Sequence, residues 1–133
     1  MKTIIHVSAA ILKDHKILLI RRKPDKKYFP NYWTCPGGKV EGSESLAETV
    51  KREVEEETGL QFQPTKPFQF YDLFHDDIHS VGHAFLGTYS GTIKTESDES
   101  VGFGWFSYAE AKELPLAHYV GLLIEDLHHE GMF

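Results

Sequence analysis

The sequence predicts an α/β sandwich built on a mixed β-sheet, and three observations carry that prediction. Apolar and β-branched runs near residues 3–12, 16–22, 32–35, 67–75, 78–90 and 102–106 have the length and boundaries of strands. An amphipathic segment bounded by Ser45 and Gly59 reads as a capped helix over 46–58. Leu116, Val120, Leu123 and Leu127, spaced by four, three and four, predict a closing helix near 116–129. Strands interspersed with helices bury their apolar faces by stacking as layers.

Taken in order, the first two strands flank a turn, and the second, with Ile17-Leu18-Leu19-Ile20 at its centre, runs out into Arg21-Arg22 and a lysine-bearing loop. Trp33-Thr34-Cys35-Pro36-Gly37-Gly38-Lys39-Val40 then reads as a short strand entering a glycine-rich bend, where backbone can approach a ligand closely. The next helix has a capping box in Ser45 and Glu48, a stop at Gly59, and an apolar stripe of Leu46, Val50 and Val54 with Ala47. Asp76-Asp77 marks a turn between two aromatic-rich strands, and Ser107 with Glu110 forms a second capping box.

Composition narrows the functional classes. A chain of 133 residues, 41% hydrophobic and 13% aromatic and without repeats or linkers, is expected to fold as a single domain spanning 1–133. No apolar run has the length of a membrane span and Met1–His6 does not resemble a signal peptide, so a cytoplasmic protein with no membrane partner is expected. The only cysteine, Cys35, allows no internal disulfide and is expected to be a partly buried strand residue rather than a nucleophile. A net charge of −6 argues against a nucleic-acid surface but not against a small anionic substrate held through a metal ion.

The chemistry concentrates on the first helix. Glu53 precedes Glu56 and Glu57 by three and four positions, which puts three carboxylates on adjoining parts of one face. Like charges at this spacing oppose one another by roughly 0.2–0.5 kcal/mol per pair, a penalty a cation removes. Carboxylates suit hard ions such as Mg²⁺, which keep positions for water and substrate phosphates. Glu44, just before the helix, and Arg52 are expected to support this face, Arg52 by orienting carboxylates through a bidentate pair.

The segment from Gly38 to Leu60 resembles the Nudix box: Gly38, five residues, Glu44, seven residues, then Arg52-Glu53-Val54, Glu56-Glu57 and Gly59-Leu60. It departs from the common pattern in having Ser43 between Gly42 and Glu44. The resemblance implies the Nudix α/β/α sandwich over nearly the whole chain. It also implies cleavage of a nucleoside diphosphate linked to another group, with Mg²⁺ or Mn²⁺ as cofactor and Gly38 offering its carbonyl to the metal beside Glu53, Glu56 and Glu57. A further acidic ligand or water activator is expected before Trp105-Phe106, and among Glu96, Asp98 and Glu99 the choice falls on Glu99.

In the expected reaction a metal-bound water attacks phosphorus, Glu53 or Glu99 takes the proton, and Glu57 belongs to the same catalytic set. Arg22, at the strand end where the family often carries a substrate-facing Arg, and Lys39 are expected to stabilise phosphate oxygens. Phe29, Tyr32, Trp33, Tyr71 and Phe85 offer faces for stacking a base, with Trp33 and Phe29 preferred. His75, His79 and His83 have helical spacing in a stretch of strand formers, so a zinc site is not expected there. The short chain most resembles members that sanitise nucleoside triphosphates, including oxidised ones. ADP-ribose or nucleotide-sugar cleavage is the alternative, and a non-catalytic nucleotide-sensing domain is the alternative of another class. Homodimerisation is a family-level expectation.

Overall fold

In a computed structural model, which describes residues 1–94, 97 and 100–133, the chain forms two four-stranded sheets and three helices. The strands are β1 (Lys2–Ala10), β2 (Leu12–Lys13), β3 (Lys16–Arg22), β4 (Trp33–Thr34), β5 (Gly37–Lys39), β6 (Gln61–His75), β7 (Ile78–Ser90) and β8 (Ser100–Phe106). The helices are α1 (Leu46–Thr58), α2 (Tyr108–Ala111) and α3 (Val120–His129). One sheet runs β5-β1-β7-β6 and is mixed, since β1 and β7 are parallel and its other pairs antiparallel. The other places β3 at its centre with β2, β4 and β8 all antiparallel to it.

Two apolar clusters bind these layers. One joins Val50 and Val54 of α1 to Val7, Ala9, Leu18, Phe62 and Phe85. The other joins Leu123, Ile124 and Leu127 of α3 to Ile17, Leu19, Tyr71 and Ala84. Val50 and Val54 are fully buried and contribute about 1.5–3 kcal/mol each.

Several boundaries differ from the sequence reading for identifiable reasons. The run predicted over 3–12 breaks at buried Ile11, where the chain leaves one sheet for the other. The glycine bend includes a strand, β5, paired antiparallel with β1 through Ser8↔Gly37 and His6↔Lys39. Strand β6 begins at Gln61 rather than near 67, and its register shifts beside Pro64 and Pro67, whose nitrogens cannot donate to a ladder. Leu116 has helical spacing but bridges to Trp33, and His118 is left-handed at φ 54°, so α3 starts only at Val120. Ala47 faces solvent, and Thr49 takes the buried position on α1. Among the described residues no helix is long and apolar enough to cross a membrane.

Candidate active site

Both caps of α1 form as its sequence requires. Ser45 Oγ accepts the Glu48 N–H while Glu48 returns a carboxylate oxygen to the Ser45 N–H, and Gly59 ends the helix at φ 80°. The fixed helix carries Glu53 and Glu57 on the face turned to β5. Glu57, nearly buried, accepts the Gly37 N–H at 2.7 Å. A Cβ at Gly38 would stand 2.5 Å from the Glu53 carboxyl carbon. Gly38 is therefore what lets strand backbone lie against the acidic helix face.

Gly37, Gly38, Glu53 and Glu57 line a cleft of about 480 Å³. Arg22, Lys26, Lys27 and Lys39 line the same cleft, so carboxylates and cations share one cavity. This pairing suits a polyanion bound through both direct cation contacts and a bridging metal.

Arg52 is the hub outside the cleft. Its Nε and Nη2 clamp Glu44 at 2.9 and 2.8 Å, and its Nη1 reaches Glu53 at 3.1 Å and Glu56 at 3.2 Å. The Arg52 hydrogen bond holds the Glu44 carboxyl below its ordinary range, and Glu44 in turn raises the guanidinium further. A lysine would keep the charge but cannot serve three carboxylates with a rigid fork. Arg52→Lys is expected to lower kcat about 10–100-fold, with the thermal midpoint recorded alongside to show that the fold persists.

The remaining predicted residues distribute unevenly. Glu56 is exposed and turned to Arg52 rather than into the cleft. Among the described residues no three His, Cys, Asp or Glu groups stand together in ready ligating geometry; Glu57 accepts the Gly37 N–H, and Arg52 donates to Glu53 and Glu56. Arg22 lines the cleft while its Nε donates to the Tyr28 carbonyl at 3.1 Å. Trp33 does not line it: its ring packs edge-on against Phe106 and joins the α3 cluster. Phe29 stands one layer back, 4.9 Å from the ring of His118, which does line it. Glu99 lies outside the described residues.

Cys35, expected as a partly buried strand residue, is buried in the link between β4 and β5, and desolvation pushes its thiol up to about 12. His79 bonds Asp72 and stacks on Phe74, while His75 and His83 contact other rings, so these three histidines do not converge.

Sequence reasoning missed His6, Ser8, Tyr28, His118 and Tyr119, all of which line the cleft. Nothing in local spacing marks them, because His6 and Ser8 lie on β1, Tyr28 between β3 and β4, and His118 and Tyr119 just before α3, and only the tertiary fold brings these together. The rings of His6 and His118 lie 5.4 Å apart. Burial lowers both to about 4, helped by Lys39 and Arg22 at His6 and by His6 and Arg22 at His118. In the unfolded chain they protonate near pH 6.5. The unfolded state then binds more protons, so stability must fall as pH falls from about 6.5 toward 4. Urea midpoints measured from pH 7 to 4.5 are expected to decline, and His118→Asn to flatten the decline.

Comparison with known proteins decides the family. The NUDIX domain model matches residues 2–127. The chain belongs to the Nudix family. The chain is 31% identical over 118 residues to the Nudix hydrolase YvcI of Bacillus subtilis, covering 84% of this chain and 71% of that one. It is 33% identical over 127 residues to the NAD-capped RNA hydrolase NudC of Pectobacterium carotovorum, covering 90% of this chain and 45% of NudC. To the 8-oxo-dGTP diphosphatase of Buchnera aphidicola it is 36% identical over 72 residues, 54% of this chain and 55% of that enzyme. Several curated relatives are matched over less than half their length, as little as 17% for the m7GpppN-mRNA hydrolase NUDT17 of Xenopus laevis.

Among solved structures, the MutT protein of Methanosarcina mazei superposes with a TM-score of 0.87 at 29% identity, over 99% of this chain and 97% of that one. The MutT Nudix hydrolase of Burkholderia pseudomallei gives 0.83 at 30% identity, over 94% and 98%. The Nudix α/β fold is thereby established.

Proposed function

We propose that this Nudix hydrolase is a Mg²⁺- or Mn²⁺-dependent pyrophosphohydrolase of nucleoside triphosphates, including oxidised ones, releasing a nucleoside monophosphate and pyrophosphate. The observation that carries the reading is the cleft in which Glu53 and Glu57 share space with Arg22, Lys26, Lys27 and Lys39. The similarity to an 8-oxo-dGTP diphosphatase over about half the chain supports the triphosphate choice.

The residues fit a divalent ion. Glu53 and Glu57 are hard oxygen donors in the cleft, Gly38 leaves a gap that a Cβ would fill beside Glu53, and Glu56 is exposed and four residues from Arg52 on the same helix. We assign Glu53, Glu56, Glu57 and the Gly38 carbonyl as the holders of the ion. When bound, such an ion supplies neutralisation of the diphosphate and a water acidic enough to attack phosphorus. With the ion in place, Glu53 would accept a proton from the attacking water, Arg52 and Glu44 would keep the carboxylates oriented, and Arg22 and Lys39 would stabilise charge on the phosphate oxygens.

A panel of nucleoside triphosphates, ADP-ribose, nucleotide sugars and NAD, incubated with Mg²⁺ and resolved by chromatography, tests the assignment. Monophosphate plus pyrophosphate from a triphosphate is the expected product. Preferential cleavage of ADP-ribose, a nucleotide sugar or NAD would replace the triphosphate reading. No turnover of any compound, with nucleotide binding retained, would favour a sensing domain.

A further inference from the structure

Three strands present one residue each in a single row across the mixed sheet: His6 of β1, Gly82 of β7 and Tyr71 of β6. The middle member has no side chain, and Tyr119 fills the space. A Cβ at Gly82 would fall 2.0 Å from the Tyr119 ring, closer than any real contact, so the ring sits there only because position 82 is glycine. The ring lies parallel to Tyr71, centroids 5.2 Å apart at 12°, and its hydroxyl donates to Ser8 Oγ at 3.0 Å. Tyr119 is buried and thus fixed by a slot, a stack and a hydrogen bond at once.

The residue just before it is under backbone tension. His118 has φ 54°, a left-handed conformation that a non-glycine residue keeps only where its surroundings impose it. Phe29, whose ring meets that of His118, is left-handed as well, at φ 51°. Two such residues in mutual contact beside the cleft are a wall held in place from behind. The cleft-facing part of this wall consists of His118 and His6. Each uncharged imidazole presents one hydrogen-bond donor and one acceptor at a planar edge. That chemistry matches a planar heterocycle rather than a phosphate, whose counter-charges are Arg22, Lys26, Lys27 and Lys39.

We propose that Tyr119, seated in the Gly82 slot, is a positioning residue that sets His118 against His6 and thereby fixes recognition of the nucleobase end of the substrate. The proposal rests on the nucleotide reading above but not on turnover. It makes Gly82 and Ser8 parts of the same device, since one supplies the room and the other the hydroxyl's acceptor.

The test is a double-mutant cycle on binding to metal-free protein. AMP, GMP, CMP, UMP and inorganic pyrophosphate are titrated in EDTA and followed by histidine side-chain NMR shifts. Tyr119→Ala and His118→Ala are each expected to weaken the best-bound monophosphate about tenfold, equivalent to about 1.4 kcal/mol, and to leave pyrophosphate within about twofold. The double variant is expected to be no weaker than either single, because both remove one arrangement.

Multiplicative losses in the double variant, or equal losses for pyrophosphate, would overturn the proposal. Should Tyr119→Ala fail to fold, Ser8→Ala with His118→Ala runs the same cycle, with a two- to threefold single loss expected from the lost hydrogen bond. If the monophosphates bind as described yet no anhydride is hydrolysed, the hydrolytic reading fails and this one stands. If triphosphates are cleaved while the cycle is additive, the reverse holds.

Discussion

Glu57→Gln is expected to abolish nearly all turnover while leaving the protein folded. The side chain is 7% exposed and its Oε1 accepts the Gly37 N–H at 2.7 Å, so it links the end of α1 to β5. Glutamine retains an acceptor oxygen for that N–H and the same shape. What it loses is the negative charge and the acceptor capacity needed to hold a cation and organise a reacting water. Removing a group of that kind lowers kcat by roughly 10²–10⁴-fold. Stability should change by about 1 kcal/mol, the difference between a charge-assisted and a neutral hydrogen bond. Steady-state kinetics on the preferred triphosphate, thermal melts and a Mn²⁺ titration followed by electron paramagnetic resonance separate the possibilities. A kcat within threefold of the parent would remove Glu57 from the catalytic set.

What could be read from the sequence here follows how local each cause is. The first helix is legible to the residue because its determinants lie within it: Ser45 and Glu48 cap each other, Gly59 stops it, and Val50 and Val54 point into the core. Glu44 and Arg52 were each read as supporting the acidic face, but their bond to one another, eight residues apart along one helix and its lead-in, shows only in the structure. Leu116 misled because apolar spacing records burial rather than conformation: it is partly buried against the α3 cluster while its backbone bridges to Trp33. Trp33 misled in the same way: an aromatic at the cleft's approach was read as a stacking surface, yet its strand carries the ring onto Phe106. The histidine pair was invisible because His6 and His118 are separated by nearly the whole chain and meet through the parallel β1–β7 pairing and the ring of Tyr119. No window on the sequence contains both.

Gly37 and Gly38 offer a sharper separation of structure from chemistry, since the same substitution at adjacent positions should fail in different ways. An alanine Cβ at position 37 would sit 2.0 Å from the Val7 carbonyl oxygen and 2.7 Å from the Ser8 Cα. Both are backbone atoms of β1, which cannot yield without opening the β1–β5 pair. Gly37→Ala is therefore expected to cost about 2–4 kcal/mol of stability, visible as a lower urea midpoint, with activity lost along with the fold.

At position 38 the three atoms nearest the Cβ would all belong to the Glu53 carboxyl group, at 2.5–2.8 Å, the far end of a side chain that can rotate away. Gly38→Ala should therefore keep its unfolding free energy, read from urea melts, within about 1 kcal/mol of the parent. It should lose kcat about 10²-fold or more, because the displaced carboxylate no longer faces the cleft where the reacting water must be held. Adding Glu53→Gln to Gly38→Ala should then cost little further activity, since both changes disable one group. Independent losses in the double variant would show that Gly38 acts on something other than Glu53.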